Sequence, residues 1–169
     1  MSPLSFAIIG AGNIGHVHAQ AIAHVRDARV TVVCDEVEHS GRALTQACGA
    51  EWTPSYEEAV TWPDVDVVSV CTPSGTHAEI AVAAARAGKH LLVEKPIDIT
   101  LPRVDQIIEA AREAGVKLAC VFPYRFMLGV RRVQEALDGG RLGRLTMADA
   151  YVKWYRTQEY YDGSWGGTW

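Results

Sequence analysis

Short β-branched apolar runs alternate along this chain with longer stretches whose apolar residues recur every three or four positions. That is the pattern of βαβ units around a parallel sheet. Residues 4–9 predict a strand ended by Gly10, residues 14–25 a helix, and residues 29–34 a second strand closed by Asp35 and Glu36. Residues 38–48 predict a helix with Gly49 as its C-cap, a position that favours glycine. Residues 55–60 predict a short helix capped by Ser55, with Glu57 and Glu58 at its positive end. The run 65–71 is almost continuously apolar, as a strand buried on both faces should be. An alanine-rich helix follows over 76–87, then a strand over 90–93, a helix over 100–114 ended by Gly115, and a strand over 117–122. Right-handed crossovers make this an α/β fold, a doubly wound parallel Rossmann sheet over residues 1–122.

After Pro123 the pattern changes. Residues 126–137 predict a helix ended by Gly139 and Gly140, and residues 144–155 one long strand. Leu145, Met147, Asp149, Tyr151 and Lys153 fall on one face of that strand; Thr146, Ala148, Ala150, Val152 and Trp154 fall on the other. A single strand cannot satisfy its own backbone groups, and no second strand follows in this sequence. Its open edge invites pairing with another copy of the chain. The last 19 residues hold seven aromatic side chains, Tyr151, Trp154, Tyr155, Tyr160, Tyr161, Trp165 and Trp169, and these need a partner surface.

Composition narrows the class. The 169 residues carry 20 acidic and 16 basic groups, a net charge of −4, which argues against a duplex-binding protein. An apolar share of 49% with 21% charged residues is that of a globular chain. No apolar run reaches the roughly 18 residues of a membrane span, and the start Met1-Ser2-Pro3-Leu4 has no basic leader region. Cys34, Cys48, Cys71 and Cys120 show no CxxC and no zinc-type Cys/His spacing, so no metal site is expected and a reducing, cytoplasmic setting is.

The chemistry lies at the ends of the expected strands. Gly10-Ala11-Gly12-Asn13-Ile14-Gly15 is a G-x-G-x-x-G between a strand and a helix. Gly10 permits the turn, Gly12 leaves room for a pyrophosphate, and Gly15 lets helix and strand approach; the free N–H groups at the helix start suit a phosphate. Asp35, at the end of the second strand, is placed to accept hydrogen bonds from the adenine ribose hydroxyls and to repel a 2′-phosphate, which favours NAD. Arg42 lies close enough to keep NADP open. Thr72 and Pro73 follow the strand ending at Cys71, where ligands sit in open α/β sheets. His77, in the next helical turn, reads as either a ligand contact or a surface or capping residue, and His16 and His18 can simply line their helix. Glu94-Lys95-Pro96 ends the following strand at the same edge. A lysine there can donate to a substrate oxygen or move a proton; a structural ion pair of Glu94 is the competing reading.

Taken together, the glycine motif, Thr72-Pro73 with His77, Glu94-Lys95-Pro96, Tyr124-Arg125-Phe126 and the turn 139–145 occur in order and at intervals that resemble the glucose–fructose oxidoreductase/inositol dehydrogenase/MocA (Gfo/Idh/MocA) family. The resemblance implies a nicotinamide-dependent oxidoreductase acting on a hydroxyl of a sugar, cyclitol or related polyol. It makes Lys95 the active-site lysine, positioned by Glu94 and Pro96, and sets Thr72, Pro73, His77, Glu94, Lys95, Pro96 and Arg125 beside the cofactor with Gly10, Gly12, Asn13, Ile14, Gly15 and Asp35. It also makes residues 123–169 the incomplete start of a substrate and oligomerisation domain, ending before the family's Gly-x-His-x-x-Asp motif; the homo-oligomer is expected from the open edge of the strand over 144–155 rather than from the resemblance. The alternative is a dinucleotide-binding module without catalysis, used for sensing or assembly.

Overall fold

The computed structural model describes residues 3–162. It divides into two units, one running to Phe122 and one from Pro123 onward.

The first unit is built on six strands, β1 (Leu4–Ile9), β2 (Ala28–Cys34), β3 (Glu51–Thr53), β4 (Val67–Val70), β5 (His90–Val93) and β6 (Leu118–Cys120). Every pairing is parallel, in the order β3-β2-β1-β4-β5-β6. Between them run α1 (Asn13–Ala23), α2 (Glu38–Cys48), α3 (Tyr56–Thr61), α4 (His77–Arg86) and α5 (Leu101–Ala114). The doubly wound Rossmann sheet expected from the pattern is therefore present. Strand order reverses between β1 and β4, which opens a crevice at their carboxyl ends.

The two faces of the central strands feed two cores, with an irregularity in the β1–β2 register placing Val30 and Val33 on the same face. Ile8, Val30 and Val33 pack with Ala19 and Ile22 of α1 and Leu44 of α2. Ala7, Ile9, Val32, Val68, Val70 and Val93 pack on the other face with α3, α4 and α5. Local signals set the element ends. The Ser55 hydroxyl accepts from Glu58 N–H at 3.1 Å, the N-cap expected of it. Gly49 and Gly115 close α2 and α5 with φ of 72° and 66°. β3 was not apparent in the sequence pattern. It has only three residues and is defined by its pairing with Val32–Cys34, which local alternation cannot reveal.

In the second unit a 3-10 turn, Pro123–Phe126, leads to α6 (Leu128–Asp138), ended near Gly139 and Gly140. The strand expected over 144–155 is not formed. No backbone hydrogen bond joins residues 144–156 to another segment among the described residues, and without a ladder an extended segment is not a strand. A short helix, α7 (Gln158–Tyr161), ends the description; Trp165 and Trp169 lie outside the described residues.

Candidate dinucleotide and active site

The glycine loop joins β1 to α1 at the carboxyl edge of the sheet, and its three glycines meet three different constraints. Gly10 has φ of 101°, and a Cβ there would lie 2.8 Å from the Cys71 carbonyl group. A Cβ on Gly15 would lie 2.1 Å from the Gly10 carbonyl oxygen. Around Gly12 there is nothing within 4 Å of where a Cβ would stand. Two of the glycines thus permit close backbone packing, and the third leaves open space above the head of α1. The first helical hydrogen bond runs from His16 N–H to the Gly12 carbonyl at 3.1 Å, and Gly12 supplies no side-chain cap. The N–H groups of Asn13, Ile14 and Gly15 therefore form an uncapped first turn, with Gly12, Asn13 and Ile14 exposed. This cradle fits a pyrophosphate.

Asp35 follows β2 and faces that loop. Its carboxylate accepts from Ala11 N–H at 2.7 Å and from Val37 N–H at 2.8 Å. A carboxylate offers about four acceptor positions, so capacity is left for ribose hydroxyls. Arg42, which kept a 2′-phosphate open, is engaged elsewhere. Its Nε donates to Glu38 at 2.7 Å and its guanidinium stacks 4.8 Å over Trp52.

The loop after β4 lies against Gly10. There the Thr76 hydroxyl lies 2.8 Å from both the Pro73 carbonyl, to which it can donate, and the Thr72 hydroxyl, from which it can accept. His77 is 1% exposed, and both ring nitrogens lie at hydrogen-bond distance of backbone carbonyls, Pro96 at 3.0 Å and Thr72 at 2.9 Å. Its polar atoms are spent on tying the Thr72 loop to the Pro96 loop. A second tie lies beside it. The fully buried Asp98 carboxylate accepts from Ala78 N–H, Ile99 N–H and Arg103 Nε, while Arg103 also donates to the Gly75 carbonyl.

Glu94 anchors the other side of Lys95. Glu94 Oε1 accepts from His18 Nε2 at 3.0 Å, Oε2 accepts from Lys95 N–H at 3.0 Å, and His18 Nδ1 meets the Ser69 hydroxyl at 2.6 Å. Cys71 Sγ lies 3.7 Å from the same hydroxyl. Burial pushes the Cys71 thiol up to about 12, with Glu94 adding to the rise and the Ser69 hydrogen bond opposing it. The thiol therefore stays protonated at neutral pH.

Lys95 itself is exposed, and its ammonium makes no hydrogen bond or ion pair among the described residues. It is a free cation on a backbone fixed at both sides, by Glu94 before it and by the His77–Pro96 and Asp98 contacts after it. Arg125, the remaining expected cofactor contact, belongs to the second unit; the site described here is built from the first unit alone.

Sequence reasoning did not assign His18, Ser69 or Asp98. One signal was available for Ser69, a hydroxyl inside the valine-rich β4, because a polar group buried on a central strand must find a partner. Among the described residues no cluster of three or more His, Cys, Asp or Glu is placed to hold a metal. All four cysteines are free thiols.

A parallel sheet in this order, with a glycine-lined helix start at the switch point and an acidic residue after the second strand, defines a dinucleotide-binding α/β protein. Residues 4–122 match the family model of the Gfo/Idh/MocA oxidoreductases, described as an NAD-binding Rossmann fold, and the chain belongs to that family. It is 37% identical over 142 residues to the inositol 2-dehydrogenase of Rhizobium meliloti, covering 84% of this chain and 43% of the relative. It is 33% identical over 159 residues to the D-glucoside 3-dehydrogenase of Escherichia coli, covering 88% and 43%. The structure of the WlbA dehydrogenase from Bordetella pertussis, in complex with NADH and UDP-GlcNAcA, superposes with a TM-score of 0.93 at 33% identity, over 96% of this chain and 47% of that one. The chain thus spans less than half the length of these relatives.

Proposed function

We propose that this chain is the cofactor-binding part of an NAD-dependent oxidoreductase that acts on a secondary hydroxyl of a sugar, cyclitol or related polyol ring. The observation that carries the reading is Lys95, an exposed cation without a hydrogen bond or ion pair among the described residues, held on a doubly anchored backbone at the same carboxyl edge of the sheet as the phosphate cradle. The relatives point to the same substrate class, since their names and ligands are an inositol, a D-glucoside and a nucleotide sugar.

When bound, the nicotinamide cofactor supplies the hydride acceptor or donor. The chain's residues do the rest. The N–H groups of Asn13, Ile14 and Gly15 would hold the pyrophosphate, with Gly12 leaving room for it, and Gly10 and Gly15 bring helix and strand close enough for that. Asp35 accepts the adenine ribose hydroxyls, and its charge disfavours a 2′-phosphate. Thr72 and Pro73 would border the nicotinamide side, held there by His77. Lys95 donates to the substrate oxygen and holds or moves the hydroxyl proton, with Glu94 and Pro96 setting its position. The setting is cytoplasmic, and copies associate through residues 144–155.

Titration of the chain with NADH and NADPH tests the reading, followed by NAD+ reduction with inositols, glucosides and UDP-linked sugars. NADH is expected to bind at least tenfold tighter than NADPH, about 1.4 kcal/mol. Asp35→Ala should close most of that gap, because it removes both the ribose acceptor and the repulsion. Tighter NADPH binding by the unaltered chain would overturn the NAD assignment. Absence of binding to either would overturn the reading as a whole.

A further inference from the structure

We infer that His18 is a positioning residue for Lys95, acting through the Glu94 carboxylate and held in turn by Ser69. This rests on the reading of Lys95 as the group that meets the substrate hydroxyl.

Register explains how the four residues come together. Ser69 of β4 pairs with Leu92 of β5, so Glu94, two residues further on, emerges on the same face of the sheet as Ser69. That face is covered by α1, whose buried residues are Gly15, His18, Ala19 and Ile22. Gly15 lets the helix sit close to β1, and His18, one turn on, is thereby brought down between the two strands. It is 8% exposed, Glu94 is 9% exposed and Ser69 is fully buried.

The hydrogen bonds then close in one direction. An ionised carboxylate only accepts, so His18 Nε2 carries the proton it donates to Glu94 Oε1. This leaves Nδ1 to face the Ser69 hydroxyl, and the other carboxylate oxygen takes Lys95 N–H. Among the described residues no buried side-chain N or O atom lacks a partner. Ser, His and Glu in this order match the members of a hydrolytic triad, yet the Ser69 hydroxyl lies inside the sheet core and cannot reach a substrate. The constellation does something different. It locks the rotamer of a carboxylate whose other hydrogen bond among the described residues comes from the backbone N–H of the next residue, and that residue is Lys95. A catalytic group needs its supporting shell fixed to a fraction of an ångström. His18 also belongs to the helix whose start cradles the phosphate, so one rigid element sets both the cofactor cradle and the lysine.

Amide hydrogen exchange and the 1H–15N amide resonance of Lys95 test this in the full chain without cofactor. His18→Leu, of similar bulk but unable to donate, is expected to lower Lys95 amide protection at least tenfold and to shift its resonance, while Val33 and Val68 keep theirs. His18→Gln, whose amide can donate in place of Nε2, should restore most of the protection. Ser69→Ala, the milder change, should give a smaller loss of the same kind. Unchanged Lys95 protection in His18→Leu would overturn the proposal. So would an equal loss at Val33 and Val68, which would make His18 a general core residue, or a failure of His18→Gln to rescue. NADH titration of the unaltered chain is a separate arm. If NADH fails to bind, the functional reading falls while the exchange data still decide the His18 contact; if NADH binds and exchange at Lys95 ignores His18, only the positioning role falls.

Discussion

In the first unit Ile8, Leu44 and Ile107 are at most 1% exposed, whereas in the second Phe126, Met147 and Tyr155 are 78%, 78% and 84% exposed. Both stretches are rich in large apolar residues, and α6 has a clear apolar stripe, with Leu128, Val130 and Val133 each nearly half exposed or more. The difference lies in what each pattern can be placed against. Each strand of the sheet is paired with at least one neighbour, and helices cover both faces of its central strands. Residues 144–156 have no ladder among the described residues, so their alternation organises no sheet there. Amphipathic pattern is a requirement for a core and does not by itself produce one.

The sharpest way to break this contrast is a cavity in the first unit. Ile107→Ala, at a fully buried position of α5, is expected to cost roughly 2–5 kcal/mol in denaturant unfolding. A loss below about 1 kcal/mol would mean that the α4–α5 side of the core is not tightly packed. Next in size is a pair of changes in one loop. Gly15→Ala would press its Cβ on the Gly10 carbonyl and should cost roughly 1–3 kcal/mol. Gly12→Ala meets open space and should leave stability within about 0.5 kcal/mol, yet weaken NADH binding at least tenfold, about 1.4 kcal/mol. Equal effects of the two on stability would remove the distinction between a packing glycine and a cradle glycine. The smallest effect belongs to the second unit. Val133→Ser on α6, at a site 56% exposed, should change stability by less than about 0.5 kcal/mol. A loss comparable to that of Ile107→Ala would show that α6 is buried in solution.

The thiols offer a pH-dependent check within the first unit. Burial, with Asp35 the next contribution, pushes Cys34 up to about 12, and burial pushes Cys71 to about 12 as well. These groups hold their protons in the folded state while an unfolded thiol loses its own near pH 8.5. The stability they support is present below that pH and is lost as pH rises toward 12. Alkylation at pH 8 should therefore modify neither residue appreciably in the folded chain and both after denaturation; fast labelling of Cys71 in the folded state would contradict its raised pKa.

Much of this protein is determined locally. Strand β1 from 4 to 9, helix α2 from 38 to 48 and strand β5 from 90 to 93 follow from apolar period and turn residues alone, because each is specified by side chains within its own span. The cradle was legible largely for the same reason, since Gly12 and Gly15 act through backbone geometry within six residues, although the approach of Gly10 to the Cys71 carbonyl is tertiary. Lys95 could be placed at a strand's carboxyl end, but not given its surroundings. Tertiary structure alone decided that His18, Ser69 and Glu94, 76 residues apart at the extremes, share one set of hydrogen bonds. It also decided that His77 ties two loops and that residues 144–155 are not a strand. Each of those outcomes depends on a partner distant in sequence, and periodicity carries no record of which distant group will satisfy a buried donor or a strand edge.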